Sequence, residues 1–146
     1  RPRFDVLIAG VSEWSLRDHH STLEAKMAGL DIKKLDTPDE TRQFVDKGHA
    51  DVVDLDGTSV LKGTFEPGWR WSEHVKPIAQ TDSCQAPHLL YVLSGRMKIA
   101  MEDGTEGEIG PGDAAHIAPG HDAWTVGDEA CVAVDFGGSS TYAKSQ

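Results

Sequence analysis

From Ala50 onward the apolar residues come in short runs rich in Val, Ile, Leu and aromatics. Turn pairs interrupt them at Asp56-Gly57, Pro67-Gly68, Asp103-Gly104, Gly110-Pro-Gly-Asp113, Pro119-Gly120 and Gly127-Asp128. This pattern predicts strands near Val52–Leu55, Ser59–Glu66, Trp69–Val75, His88–Ser94, Met97–Met101, Gly107–Ile109, Ala114–Ile117, Ala123–Val126 and Cys131–Phe136. The strongest hairpin signal joins Met97–Met101 to the following strand, because Asp103-Gly104 can adopt the positive φ angles of a tight primed turn. Many short strands with tight turns predict a sandwich or barrel.

The start of the chain reads differently. Trp14, Leu16, Leu23 and Met27 are set among polar residues, with Gly only at Gly10 and Gly29, a pattern of one or two short helices. Residues 1–32 are therefore expected to form a helical extension, whose truncation at Met27 the fold should tolerate. Residues 33–146 are expected to be a single β domain. Between the two, Thr37-Pro-Asp-Glu40 has the residues of a capping box with Pro at the first helical position. It predicts a short helix that buries Phe44 and Val45 and ends at Gly48.

At 146 residues the chain has room for one ordinary domain, and 38% hydrophobic with 26% charged residues suits a folded core. The formal charge of −10 opposes a polyphosphate backbone, so nucleic acid is not an expected partner. No apolar run approaches the roughly 18 residues of a membrane span. Val6 to Val11 is short and lacks the form of a signal peptide. A soluble, cytoplasmic protein with no membrane partner is the expectation. Two cysteines, Cys84 and Cys131, are far below the density of a disulfide scaffold and are read as free thiols.

Seven histidines are the main store of chemistry. His19, His20 and His49 read as solvated surface. His74, His88, His116 and His121 lie on the β pattern, and several imidazoles converging inside a small β domain are costly unless they bind something.

Two stretches carry a family resemblance. Pro67-Gly68 is followed by Trp69-Arg-Trp-Ser-Glu-His74 and later by His88-Leu-Leu-Tyr91-Val-Leu-Ser-Gly95. Gly110-Pro-Gly-Asp113 is followed by Ala114–Ile117 and Ala118-Pro-Gly-His121. From Glu66 to Phe136 the chain resembles the cupin superfamily, and the resemblance implies a cupin-like jelly-roll β-barrel. His74 falls on the family's first His, Lys76 on its second and His88 on its Glu. The last His would fall near Ala123, two residues after His121. The family's standard site uses three His and one Glu, of which this chain keeps one in kind.

A substitute set follows from strand parity. Residues two apart share a face, so His121 and Ala123 both point inward and His121 can reach toward the place left by Ala123. His74, His88 and His121 then form a three-imidazole site for a divalent transition metal: Zn, Fe, Mn, Ni or Cu. Cys84, in an insertion from Pro77 to Pro87 longer than the family's usual spacer, is either a fourth, thiolate ligand or a buried inert thiol. A metal-free barrel is the alternative to both.

Around that core, Lys76 should share the face of His74. There it is either a catalytic base or anion anchor, or a solvated strand-end residue. Tyr91 is a candidate catalytic residue and Trp71 and Trp124 are candidate substrate-binding residues, with ordinary core as the other reading. Trp71 and Tyr91 stand three residues from His74 and His88, which in a regular strand puts each on the opposite face from its His. Asp122 and Asp135 are further acidic candidates, Asp135 as a strand-end hydrogen-bonding residue, and His116 is a weaker ligand candidate. The expected function is a metal-dependent enzyme of oxygenase (dioxygenases included), isomerase or lyase type acting on a small organic molecule. The alternative is a non-catalytic ligand-binding or regulatory module. A homodimer is expected, because open sheet edges need cover.

Overall fold

The computed structural model describes residues 29–137 and 142–144. In chain order its elements are β1 (Glu40–Gln43), β2 (Gly48–Leu55), β3 (Thr58–Phe65), two single helical turns α1 (Trp71–His74) and α2 (Lys76–Ala79), β4 (His88–Ser94), β5 (Arg96–Met101), β6 (Glu106–Ile109), β7 (Ala114–Ile117), β8 (His121–Val126) and β9 (Cys131–Asp135). The helical extension expected over residues 1–32 lies, but for its last residues, outside the described ones. No helix among the described residues is long and apolar enough to cross a membrane.

Alternation builds the inner face of each strand. In β8 His121, Ala123 and Thr125 are buried and the residues between them less so, and β9 does the same with Cys131, Ala133 and Asp135. Period-two parity therefore carries two polar groups, His121 and Asp135, inward with the apolar set. Six strands form one sheet in the order β1-β2-β3-β9-β4-β7, and three form the other in the order β6-β5-β8. Their inner faces share one core that includes Leu61, Leu90, Val92, Met97, Ile99 and Ala123.

The architecture is mainly β, as expected, but the two sheets do not close into a barrel. Strands β6 and β7 are outer strands, each with one hydrogen-bonded neighbour among the described residues. Glu106, Gly107 and Glu108 leave β6 exposed, with little to bury against a further strand.

Two expected elements differ. The helix expected from Thr37 is strand β1, antiparallel to β2 with Glu40 opposite Val52 and Gln43 opposite His49. Arg42 and Phe44 are buried while Thr41, Gln43 and Val45 are exposed, which is a strand's period. A helix of about ten residues is marginal by itself, and pairing with β2 satisfies the same backbone groups. The strand expected at Trp69–Val75 is instead the pair of helical turns. Trp71, Val75 and Ala79 are all buried at a spacing of four, the helical repeat within that apparent strand.

Both Asp-Gly pairs form hairpins, but the tight primed turn expected at Asp103-Gly104 is found at Asp56-Gly57. Leu55 pairs with Thr58 across Asp56-Gly57, where both central residues have positive φ, 51° and 84°. That is the tight primed turn. At Asp103-Gly104 only Gly104 is positive, at 94°, and Met101 N–H donates to Thr105 O, so the connection is one residue longer.

Candidate metal centre

Cys84, His88 and His121 come together from three places in the chain. His88 opens β4 and His121 opens β8. Cys84 sits in the connection after α2, fixed by a bridge in which its N–H donates to His121 O at 2.8 Å and its carbonyl accepts from Gly120 N–H at 2.7 Å. All three residues are buried, and their ligand atoms lie within 4.8 Å of one another. Cys84 Sγ stands 3.6 Å from His88 Nε2. Bond lengths of ~2.3 Å to sulfur and ~2.1 Å to nitrogen at a tetrahedral angle give an S···N edge of about 3.6 Å.

Each imidazole is oriented from behind. Ala118 O lies 2.7 Å from His121 Nδ1 and can only accept, so Nδ1 carries the proton and Nε2 is left with its lone pair. Asp135 Oδ2 does the same at His88 Nδ1. Asp135 is itself held by the N–H of Gly137 at 2.8 Å and of Leu89 at 3.3 Å. An oxygen acceptor behind each ring is the usual arrangement at a metal-bound histidine. One thiolate and two neutral imidazoles fit a divalent transition ion.

Without an ion the same groups polarise one another. Burial pushes the Cys84 thiol up, but hydrogen bonds from His121 and His88 and their charge outweigh it and bring its pKa down to about 6. Burial pushes His88 down, but Asp135 and Cys84 outweigh it and raise it to about 9. Cys131 lacks such neighbours, and burial, helped by Glu129, lifts it to about 11.

A cavity of about 40 Å³ adjoins the cluster. That is room for roughly three waters. Its walls are mostly apolar, with His88, His121, Asp135 and Tyr142 as the polar members and Trp71 among the apolar ones. Ile109 and Ile117 line both this cavity and an open cleft beside β6 and β7, so they stand between the cavity and solvent on that side.

The remaining sequence candidates stand elsewhere. His74 is not part of the cluster: it ends α1, and its Nδ1 accepts from Arg70 N–H at 3.0 Å. The helical turn that replaces the expected strand takes it off the inner face. Lys76 opens α2 and does not line the cavity. Tyr91 is half exposed on the outer face of β4, where parity with His88 places it. Trp124 is half-buried on the outward side of β8, with the Arg70 guanidinium 4.1 Å over its ring. Trp71 is buried in the cavity wall. His116 is exposed on β7. Asp122 accepts from Ser72 N–H at 3.1 Å and from Arg70 at 3.4 Å, tying α1 to β8.

Tyr142 escaped the sequence reading. It is buried, with its ring 5.3 Å from that of His88 in an edge-on arrangement. Burial holds its phenol well above the ordinary value, reinforced by the charges of Cys84 and Asp135. Beyond the last strand no periodicity pointed to it. Arg42 was missed as well. Its guanidinium grips Glu40 at 2.9 and 3.1 Å and donates to the Tyr142 carbonyl at 2.8 Å.

No protein-family model and no curated protein matches the sequence. Among solved structures, the polyketide cyclase RemF from Streptomyces resistomycificus is similar at TM-score 0.54 and 17% identity, over 75% of this chain and 79% of that one. The oxalate decarboxylase of Lactobacillus farciminis, solved as a formate complex, is similar at 0.52 and 12% over 73% of this chain. The coconut allergen cocosin is similar at 0.51 and 20% over 73% of this chain. This chain spans about a third of the latter two, 32% of each. At these identities the likeness is one of fold.

Proposed function

We propose, from the premise that this chain has the cupin fold, that Cys84, His88 and His121 bind a divalent transition metal and that the protein is a metal-dependent enzyme acting on a small organic molecule. The observation that carries the reading is the convergence of three ligand atoms within 4.8 Å, two of them on imidazoles whose other nitrogen is already committed. The thiolate favours Zn, Fe, Ni or Cu, and Mn, a hard ion, fits least. A bound ion would supply Lewis acidity or dioxygen activation, the chemistry of the oxygenase, isomerase and lyase classes. This chain's part is to hold the two rings in one tautomer and keep the Cys84 sulfur ionised. A mostly apolar cavity beside them excludes bulk water.

A second reading, a ligand-binding module without catalysis, is favoured by the size of the cavity, about 40 Å³. Elemental analysis of the untagged protein, purified without added metal or chelator, tests the metal reading beside Cys84→Ser and His88→Ala. Near-stoichiometric metal in the parent, lost in both variants with the fold intact, is expected. A parent that carries no ion and takes up none on titration overturns it.

We further propose that the protein is a homodimer formed through the outer face of the larger sheet. Leu89, Tyr91 and Leu93 alternate outward on β4 and Phe136 follows β9, each about half exposed. Contiguous apolar surface of this kind marks interaction sites.

A further inference from the structure

Tyr142 is 5% exposed, yet no described residue hydrogen-bonds its hydroxyl. Among the described residues, the side-chain polar atoms sealed in the packing without a partner are the indole nitrogens of Trp69 and Trp71, and the Tyr142 hydroxyl is not one of them. An unpaired hydroxyl that is not sealed keeps a contact surface. Tyr142 lines the cavity, and an occupant of the cavity is the partner such a surface can meet. Tyr142 also lines the small adjoining pocket that reaches Cys84, so it spans the space between the thiol and the cavity.

The placement is built, not incidental. The Tyr142 ring stands edge-on to both His88, at 5.3 Å, and Phe44, at 6.0 Å. Its backbone carbonyl accepts from the buried Arg42, whose guanidinium also donates to Glu40. A buried arginine on strand β1 thus has a purpose in holding a segment remote in sequence. A buried hydroxyl is costly to leave without a partner, and an occupant with an acceptor atom supplies one.

We infer that the Tyr142 hydroxyl is a hydrogen-bond donor to the ligand of this cavity, and that the ligand is a compact molecule with an apolar body and a carbonyl or carboxylate oxygen. Leu61, Leu90, Met97 and Ile117 meet the apolar body, while Tyr142 fixes the oxygen beside His88 and Cys84. The inference deepens the reading of the site as one for a small molecule and does not depend on which ion is bound. A volume of about 40 Å³ restricts the occupant to a few heavy atoms.

The experiment titrates acetone, a neutral carbonyl, and acetate, a carboxylate, into the full chain both metal-loaded and metal-free. Binding is followed by NMR of ring-labelled tyrosine, with Tyr142→Phe and Tyr91→Phe as variants. At least one probe should bind and shift the Tyr142 resonance, and Tyr142→Phe should weaken that binding by roughly fivefold or more. Tyr91→Phe, on the outer face, should leave it unchanged. The variant removes one unpaired oxygen, so its melting temperature should stay near the parent's. An unshifted Tyr142 resonance, or equal affinity in parent and Tyr142→Phe, overturns the inference. Failure of the metal reading is recorded separately by the metal content, since the metal-free arm tests Tyr142 without it.

Discussion

At His88 one ring nitrogen is committed to Asp135 and the other faces Cys84. The carboxylate sets the tautomer, and with it the lone pair an ion would use. Asp135→Asn keeps the shape but weakens that control, and metal affinity should fall by about 10- to 100-fold in competition with a chromogenic chelator. Unchanged affinity would mean that Asp135 only closes the end of β9. In the metal-free protein the same cluster makes stability depend on pH. His88, raised from 6.5 to about 9, contributes stability that is fully present below 6.5 and lost as pH rises through about 9. Cys84, lowered from 9.0 to about 6, contributes stability present above 9.0 and lost as pH falls through about 6. Added together, the two offset each other between about 6.5 and 9, so urea midpoints of the apo protein should fall as pH drops through about 6 and stay level above about 6.5. Cys84→Ser removes that offset, so its midpoint should instead fall as pH rises from about 6.5, by the part of the His88 shift that Asp135 maintains.

At the scale of elements, β1 and the two helical turns are where local signals competed. Thr37-Pro-Asp-Glu40 has helix-start chemistry, but Asp39 N–H donates to Val52 O at 2.9 Å and the chain continues as an edge strand. Gly48, read from the sequence as a helix end, instead begins β2. Its φ is +145°, and a Cβ there would stand 2.1 Å from the Thr64 carbonyl oxygen. Gly48→Ala should thus cost about 2–4 kcal/mol, read by chemical denaturation, because backbone strain adds to a contact with main chain that cannot move aside. A loss within experimental error would mean that the β2–β3 ladder yields at that point. The helical turns hang on Asp122, whose carboxylate accepts from Ser72 N–H on one side and from Arg70 on the other.

At the scale of the molecule, two stacked sheets leave a wall of half-exposed apolar side chains on the outside of β4. A symmetric pair of such faces would bury Leu89, Tyr91 and Leu93 against their own copies. Leu93→Lys should then convert the dimer to monomer in size-exclusion chromatography with light scattering, leaving the circular dichroism spectrum unchanged. A parent that runs as a monomer at high concentration removes the dimer. The charge of −10 opposes close approach of two copies, so dimerisation should strengthen with salt.

Most of the strands were legible from the sequence: β4 and β7 to the residue, most others within one or two positions, β2 four short at its start. Alternation and turn chemistry are local, and a strand's inner face follows from parity alone. Parity put His121 on the face of Ala123, while the family resemblance put Ala123 and His88 at the site. Trp69–Val75 was misread as a strand because a tryptophan, one polar residue and a second tryptophan satisfy a strand's period over three positions, and only Val75 and Ala79 show the helical one. Convergence was another matter. Asp135 reaches His88 because β9 lies beside β4, a pairing that no stretch of sequence contains. Cys84 and not His74 joins His88 and His121 because a bridge pins the connection after α2 to the start of β8. Tyr142 reaches the same cavity because Arg42, a hundred residues earlier, holds its carbonyl. The sequence by itself determined which residues pair locally and which way they face, since those depend on neighbours along the chain. Only the tertiary structure decided which polar groups meet, since that depends on sheet order and on contacts between segments far apart in it.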